Sequence, residues 1–231
     1  MSTNKAWGLR GFTAPGVAKA DINTTAILDA LAQHYPNPAI ALNFSTPLEL
    51  LIATILSAQC TDERVNIVTQ GLFKKYRSAA DYATANVSEL ENDIRSTGFF
   101  KNKARMITGC AGKLVADFGG KVPDTLDALT TLSGVGRKTA SVVLIAAFGI
   151  PAIAVDTHVL RVSNRLGLVV NQKDPDKVEM TLRDLIPQQR WIGFTLTAVL
   201  FGRHLCKAKK PLCETCFLYE HCKWPDKKHK S

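Results

Sequence analysis

The segment that decides the fold of this chain reads LSGVGRK and runs from Leu132 to Lys138. It lies between two stretches with helical periodicity, and its glycines, Gly134 and Gly136, permit a tight turn with uncovered backbone N–H groups. Because N–H groups at the start of a helix bind anions, this turn suits a DNA phosphate. Val135 is expected to point inward and fix the turn. The pattern predicts a helix-hairpin-helix, although an ordinary glycine-rich turn between two helices has the same composition.

The rest of the chain also favours helices. Apolar residues recur at helical spacing, and start signals such as Thr46-Pro47-Leu48-Glu49 precede them. A second capping box is predicted at Ser88–Glu91, and the only strand candidate, Ile153–Val155, is too short to build a sheet. We therefore predict an all-α fold. The predicted helices span residues 21–34, 47–59, 62–76, 88–96, 101–118, 123–130, 136–148, 156–166, 175–185 and 187–205.

Lys138 falls in the first turn of the helix that follows the hairpin. The positive end of the helix dipole and the neighbouring Arg137 both disfavour its ammonium form, and partial burial would disfavour it further. A neutral amine can attack an electrophilic carbon and form a Schiff base. Lys138 is therefore a candidate nucleophile, with an ordinary surface lysine as the alternative.

Asp156 follows an apolar run and begins a helix, in the sequence AVDTH from Ala154 to His158. N-capping is a complete explanation for an aspartate there. Its carboxylate could also face the hairpin helix and take a proton from Lys138 or from an attacking water, and the two roles can coexist. We interpret His158 as a structural or phosphate-contacting residue rather than a catalyst.

Four cysteines, Cys206, Cys213, Cys216 and Cys222, follow the pattern C-x6-C-x2-C-x5-C. Four such thiolates can hold an iron–sulfur cluster or a zinc ion. Zinc sites usually combine two C-x2-4-C pairs, whereas this loop contains only one short pair. The spacing therefore favours an iron–sulfur cluster, with zinc left open.

The formal net charge of +9 is unevenly distributed. Residues 201–231 hold eight Lys/Arg against three Asp/Glu, and residues 1–20 hold three Lys/Arg and no acid. Because Lys and Arg neutralise phosphates, this pattern favours a polyanionic partner, although a solvated tail is an alternative. Residues 1–20 are predicted to form a flexible basic arm. Inside the cysteine loop, phosphate contacts are expected from Lys207, Lys209 and Lys210.

Neither a membrane span nor an export signal is recognisable in the sequence. We expect a cytoplasmic protein, associated with the nucleoid if the source is bacterial. In such a reducing compartment, clustered cysteines bind metal more often than they form disulfides. The two remaining cysteines, Cys60 and Cys110, lie in apolar helical contexts and are expected to be buried thiols.

The order of three motifs resembles endonuclease III, a family of helix-hairpin-helix DNA glycosylases. These are the run LSGVGRKTASVV at Leu132–Val143, the sequence VDTH at Val155–His158, and the four-cysteine loop. The sequence LSAQCTD at Leu56–Asp62 also resembles the upstream motif of that family. The resemblance extends from about residue 21 to 224, which is nearly the whole chain.

The resemblance implies a two-domain helical protein with DNA in the cleft between the domains. One domain, residues 40–150, is a six-helix barrel that carries the helix-hairpin-helix at about residues 124–148. The other is discontinuous, combines residues 21–39 and 151–231, and holds a [4Fe–4S] cluster. By the family pattern, the four cysteines are the cluster ligands.

The resemblance also implies a base excision repair enzyme, a bifunctional DNA glycosylase and AP lyase, expected to act as a monomer. Its partner is double-stranded DNA that contains oxidised pyrimidines or abasic sites. Lys138 attacks C1′ of a flipped nucleotide, which must leave the stack to be reached. Asp156 is the matching carboxylate, and a Schiff base with β-elimination nicks the strand. Further DNA contacts are implied for the hairpin residues Gly134, Val135, Gly136 and Arg137, and for Gln59 and Phe99, which fill the gap left by the flipped base.

Three other functions compete with this one. A glycosylase that only removes the base lacks a nucleophilic lysine at this position, so Lys138 argues against it. A non-catalytic DNA-binding protein has no use for a lysine–carboxylate pair such as Lys138 and Asp156. An electron-transfer protein gains nothing from the hairpin or from the basic ends of the chain.

Overall fold

The computed structural model describes residues 23–227. Every regular element in that range is a helix, and no strand occurs there, which confirms the predicted all-α fold. The α-helices are α1 (Thr24–His34), α2 (Pro47–Leu56), α3 (Asp62–Lys75), α4 (Ala79–Ala83), α5 (Val87–Asp93), α6 (Phe100–Phe118), α7 (Leu126–Thr130), α8 (Arg137–Phe148), α9 (Thr157–Leu166), α10 (Pro175–Leu185) and α11 (Trp191–His204), with 3-10 helices at Arg95–Thr97 and Gln188–Arg190. The predicted basic arm lies outside the described residues. Among the residues described, no helix is long and apolar enough to cross a membrane.

The buried apolar side chains form two separate cores. The first is built by α2 to α8 and includes Leu50, Tyr82 and Ile107. The second is built by α1, α9, α10, α11 and the following loop, and includes Val162 and Phe201. The hairpin and α8 belong to the first core and the four-cysteine loop packs on the second, so any site between the cores draws on both halves of the chain.

The start of α2 follows its predicted capping signal. The N–H of Glu49 donates to Thr46 Oγ1 at 3.2 Å, and Pro47 occupies the first helical position of α2. The capping box predicted at Ser88 is wrong. The N–H of Glu89 donates instead to Asn86 Oδ1 at 3.2 Å, and α5 begins at Val87. Asn86 comes first along the chain and is itself a strong N-cap residue, so it sets the boundary.

Two further differences separate the predicted helices from the observed ones. The second helix ends at Leu56 instead of Gln59, which leaves residues 57–61 as a loop. The short helix α4 was not predicted, because five residues are too few to show helical periodicity. It begins with a capping box in which Ser78 and Asp81 exchange side-chain and backbone hydrogen bonds.

Candidate active site and cysteine cavity

The predicted hairpin connects α7 to α8. Gly134 has a φ of +76°, and a Cβ at this position would lie 2.9 Å from the Cβ of Met106 on α6. Glycine is therefore required both by the left-handed backbone and by close packing. Val135 is buried, as predicted. Gly136 is the N-cap of α8 and supplies no side-chain cap, so the N–H groups of the first turn keep free donors for an anion.

Lys138 and Asp156 line the same cavity between the two cores. Lys138 comes from the second residue of α8, and Asp156 from the N-cap of α9. The lysine side chain is exposed, so the condition of partial burial is not met. Within residues 23–227 no carboxylate forms an ion pair with it. An amine that is accessible and unpaired can reach an incoming electrophile, and the neighbouring carboxylate can accept its proton.

Asp156 caps α9 through one carboxylate oxygen only. Its Oδ1 accepts the N–H groups of His158 and Val159, both at 2.8 Å. The N-cap interpretation is therefore confirmed. Because the cap does not use Oδ2, the carboxylate retains an oxygen for proton transfer.

Arg137 has a protein partner. Its Nε donates to Glu179 Oε2 at 2.6 Å and its Nη2 to Glu179 Oε1 at 2.8 Å. Glu179 lies on α10, and its side chain is only 7% exposed. Two of the Arg137 donors therefore already join α8 to α10, which favours a structural role, and the DNA contact implied for Arg137 stays a prediction.

Gln59 and Phe99, the predicted gap-filling residues, both have left-handed backbone, with φ of 54° and 48°. Both side chains are exposed, Phe99 by 66%. A non-glycine residue in this region carries strain of order 1 kcal/mol, and such strain concentrates at functional sites. Gln59 follows α2, and Phe99 immediately precedes α6, so each side chain projects from a helix end.

His158 packs against α11. A Cβ on Gly202 would lie 2.8 Å from the Cβ of His158, so the two helices approach closely here. The His158 ring nitrogen Nδ1 lies 3.2 Å from Arg161 Nη2. The guanidinium of Arg161 also donates to the carbonyls of Gly202 and Cys206, at 2.9 and 3.0 Å. These contacts support the structural interpretation of His158.

All four cysteines of the loop line one cavity beside the second core. Burial is the main cause that raises the pKa of Cys216 to about 11, and the other three thiols raise it further. In residues 23–227, no group of three or more His, Cys, Asp or Glu side chains is arranged to hold a single metal ion.

The loop is anchored from α9 and carries exposed lysines. Arg165 Nη1 lies 3.4 Å from Cys206 Sγ and donates to the carbonyl of Lys207 at 2.8 Å. The Arg165 guanidinium also stacks 3.8 Å over the ring of Trp224. Within the loop, the residues Lys207, Lys209 and Lys210 are exposed, as a phosphate contact requires.

Sequence reasoning missed an ion pair that lines the cavity of Lys138. Arg203 Nη2 lies 2.8 Å from Asp62 Oδ2 and joins α11 to the first residue of α3. No periodic or spacing signal marks this pair. Cys60 is also more exposed than predicted, because it lies in the loop after α2, whereas Cys110 is fully buried.

Two family models match the chain. The first, described as "HhH-GPD superfamily base excision DNA repair protein", covers residues 52–188. The second, "Iron-sulfur binding domain of endonuclease III", covers residues 206–222 and thus begins and ends on cluster-loop cysteines.

Curated and solved proteins agree with these matches. Endonuclease III of Synechocystis sp. is 50% identical over 199 residues, which cover 86% of this chain and 90% of the relative. The structure of a non-covalent endonuclease III–DNA complex aligns with a TM-score of 0.83 at 47% identity, over 86% of this chain and 93% of the other. A trapped endonuclease III–DNA covalent intermediate, an estranged-adenine complex, aligns with the same values.

Proposed function

Because this chain belongs to the endonuclease III family of base excision repair enzymes, we propose that it removes oxidised pyrimidines from duplex DNA and cleaves the abasic site through Lys138. The protein is a bifunctional DNA glycosylase and AP lyase, and DNA is its partner. The observation that carries the proposal is the shared cavity of Lys138 and Asp156, directly behind an anion-binding hairpin.

The chemistry begins with the Lys138 amine. Asp156 takes a proton from the ammonium group, and the nitrogen attacks C1′ of the flipped nucleotide. The bond between C1′ and the base breaks, and the base leaves with the bonding electrons and a proton. The attacking nitrogen supplies the proton that the base carries away. The sugar ring then opens by cleavage of the bond between C1′ and O4′, O4′ takes the proton held by Asp156, and a protonated Schiff base is left on Lys138.

Strand cleavage follows from the Schiff base. The iminium acidifies the C2′ proton, and its removal expels the 3′ phosphate by cleavage of the bond between C3′ and oxygen. Water then hydrolyses the imine and regenerates the Lys138 amine. Asp156 can serve each proton transfer because its Oδ2 is not used by the helix cap.

The DNA is held by elements around this cavity. The hairpin of Gly134, Val135 and Gly136 binds a phosphate through the backbone N–H groups of its two glycines, because the Val135 N–H donates to the carbonyl of Leu132 at 3.2 Å. Gln59 and Phe99 fill the space that the flipped nucleotide leaves, which keeps the duplex open. Additional phosphate contacts come from Lys207, Lys209 and Lys210. The two cores support a division into domains at about residues 40 and 150, with the DNA-binding cleft between them.

The protein carries a [4Fe–4S] cluster. We propose that Cys206, Cys213, Cys216 and Cys222 hold it. When bound, the cluster supplies a rigid covalent frame for the loop, and a redox step is not needed for the excision reaction. The chain itself contributes the lysines of the loop, which contact DNA from positions that the cluster would hold fixed.

The substrate proposal can be tested by assaying base release and strand nicking separately. The substrates are duplexes with one oxidised thymine, one oxidised guanine or no damage. We expect release and nicking only with oxidised thymine, from a protein that elutes as a monomer. Release without nicking would contradict the lysine mechanism, and preference for oxidised guanine would contradict the substrate class.

A further inference from the structure

Lys103 is a buried lysine that the proposed reaction does not use. It lies in the first turn of α6 and is 3% exposed. Its Nζ donates to the carbonyl of Leu56 at 2.7 Å and to the carbonyl of Thr97 at 2.8 Å. Among the described residues no carboxylate pairs with it, and burial lowers its pKa. Burial of an amine without a carboxylate partner costs free energy of folding, so a lysine at this position needs a physical explanation.

Lys103 binds one carbonyl in the segment that leads to Gln59 and one in the segment that leads to Phe99, the two predicted gap-filling residues. Leu56 is the last residue of α2, three residues before Gln59. Thr97 ends the 3-10 helix that precedes Phe99 by two residues. One ammonium group therefore joins the base of both loops. Each carbonyl lies at the negative end of a helical segment, where a cation is favoured.

The backbone of Lys103 adds a third connection. Its N–H donates to the carbonyl of Phe99 at 3.0 Å, so the same residue also anchors the left-handed residue itself. Residues in the left-handed region persist only where their surroundings over-determine the conformation. Gln59 and Phe99 both occupy that region. Lys103 bonds to the carbonyl of Phe99 itself and to that of Leu56, three residues before Gln59.

Helix α6 extends this arrangement to the hairpin. Met106, three residues after Lys103, packs against Gly134 so closely that a side chain at position 134 would collide with it. One helix thus relates both gap-filling side chains to the phosphate-binding turn. A displacement of the first turn of α6 would change the distance from Gln59 and Phe99 to the hairpin, and it would leave Lys138 in place.

We propose that Lys103 is a positioning residue that holds Gln59 and Phe99 at a fixed separation, so that both enter the duplex in one event. The proposal rests on the proposed function, because it assumes that these two side chains replace a flipped nucleotide. It locates the role of Lys103 in opening the duplex and excludes it from the covalent chemistry of Lys138.

The test uses the full-length, cluster-loaded protein and Lys103→Met, which keeps the length of the side chain but cannot donate. Lys113→Met on the exposed face of α6 is the matched control. Lys103→Gln, which retains N–H donors, is the second variant should Lys103→Met fail to fold. Two substrates separate the steps: a duplex with one oxidised thymine beside a fluorescent adenine analogue, and a single-stranded oligonucleotide with a preformed abasic site.

We expect Lys103→Met to lower excision and the fluorescence rise of the duplex by about 10-fold or more, because two buried carbonyls lose their donor. Borohydride trapping on the single strand should stay within about 2-fold of wild type, since Lys138 is unaffected. Phe99→Ala should lower duplex excision in the wild type and add little in the Lys103→Met background, as expected of residues that act as one unit.

Three outcomes would overturn the inference: normal duplex excision by Lys103→Met, an equal loss on both substrates, or full additivity with Phe99→Ala. For Lys103→Gln, we expect a rate of duplex excision below that of the wild type and of the Lys113→Met control. The rate should also stay above that of Phe99→Ala, and a rate outside these limits would overturn the inference. Failure of wild type to trap on either substrate would instead refute the proposed Lys138 chemistry, which keeps the two failures distinct.

Discussion

Arg137 and Glu179 form two parallel hydrogen bonds, at 2.6 and 2.8 Å, that join the first residue of α8 to α10. Glu179 also lies 3.5 Å from Arg183, one turn along its own helix. The carboxylate is almost fully buried, whereas the Arg137 side chain is 39% exposed. Because α8 carries Lys138 and packs in the first core, while α10 packs in the second, this ion pair fixes the position of α8 relative to both halves of the protein.

Removal of Arg137 is predicted to affect stability more than DNA binding. Arg137→Ala leaves Glu179 buried with one weaker partner, so the free energy of unfolding should fall by about 2 kcal/mol, less than for a fully buried pair because Arg137 is partly exposed. The salt dependence of DNA affinity should keep its slope, since no phosphate contact is lost. Denaturant titration and binding at several salt concentrations measure the two quantities. A slope smaller by about 1 with unchanged stability would show that Arg137 binds a phosphate.

The hairpin glycine is predicted to tolerate no side chain. Gly134→Ala combines a left-handed φ with a Cβ that meets Met106 at 2.9 Å, so we expect a loss of about 2 kcal/mol or more and DNA binding at least about 10-fold weaker. Gly112→Ala on α6 is the matched control, because a Cβ there meets nothing within 4 Å. It should stabilise the protein by about 0.5–1 kcal/mol. Equal effects of the two substitutions would contradict the packing argument.

The two roles of Asp156 can be separated by two substitutions. Asp156→Asn keeps an oxygen that accepts from His158 and Val159 but loses the charge, so base excision should fall by about 100-fold with little change in stability. Asp156→Ala loses the cap as well and should cost about 1 kcal/mol of stability. Single-turnover excision and thermal unfolding are the measurements. Near-normal excision by Asp156→Asn would restrict Asp156 to helix capping.

The two cysteines outside the loop are predicted to differ in reactivity. Burial raises the pKa of Cys110 to about 12, so its thiolate is scarce at neutral pH and its sulfur is inaccessible. Cys60 lies partly exposed in the loop after α2. A maleimide at pH 7.5 should therefore label Cys60 in the native, cluster-loaded protein and label Cys110 only after unfolding, as peptide mapping would show. The Cys60→Ser variant should remain unlabelled, and native labelling of Cys110 would contradict its burial.

The parts of the site that depend on local sequence could be predicted. The hairpin, the N-cap role of Asp156 and the spacing of the cysteines follow from neighbouring residues and their backbone preferences. The pairing of Arg137 with Glu179 could not be predicted, because it joins residues that are far apart in the chain. Lys103 illustrates the same limit, since a lysine on an amphipathic helix gives no signal of burial.

Helix ends were predictable only where one strong signal acts alone. Thr46 and Pro47 define the start of α2 without competition. At α5, Asn86 and Ser88 both offer a side-chain cap, and the first one along the chain determines the boundary. The early end of α2 at Leu56 reflects tertiary contacts, including the bond from Lys103 to its last carbonyl, which no local pattern records.

The role of Lys138 as the nucleophile is best tested by borohydride trapping on a duplex with one oxidised thymine, followed by identification of the modified peptide. We expect a covalent protein–DNA adduct whose reduced sugar is attached to Lys138. We expect no adduct with Lys138→Ala, although that variant should bind the duplex with nearly unchanged affinity through the hairpin. An adduct on another residue, or full trapping by Lys138→Ala, would contradict the account.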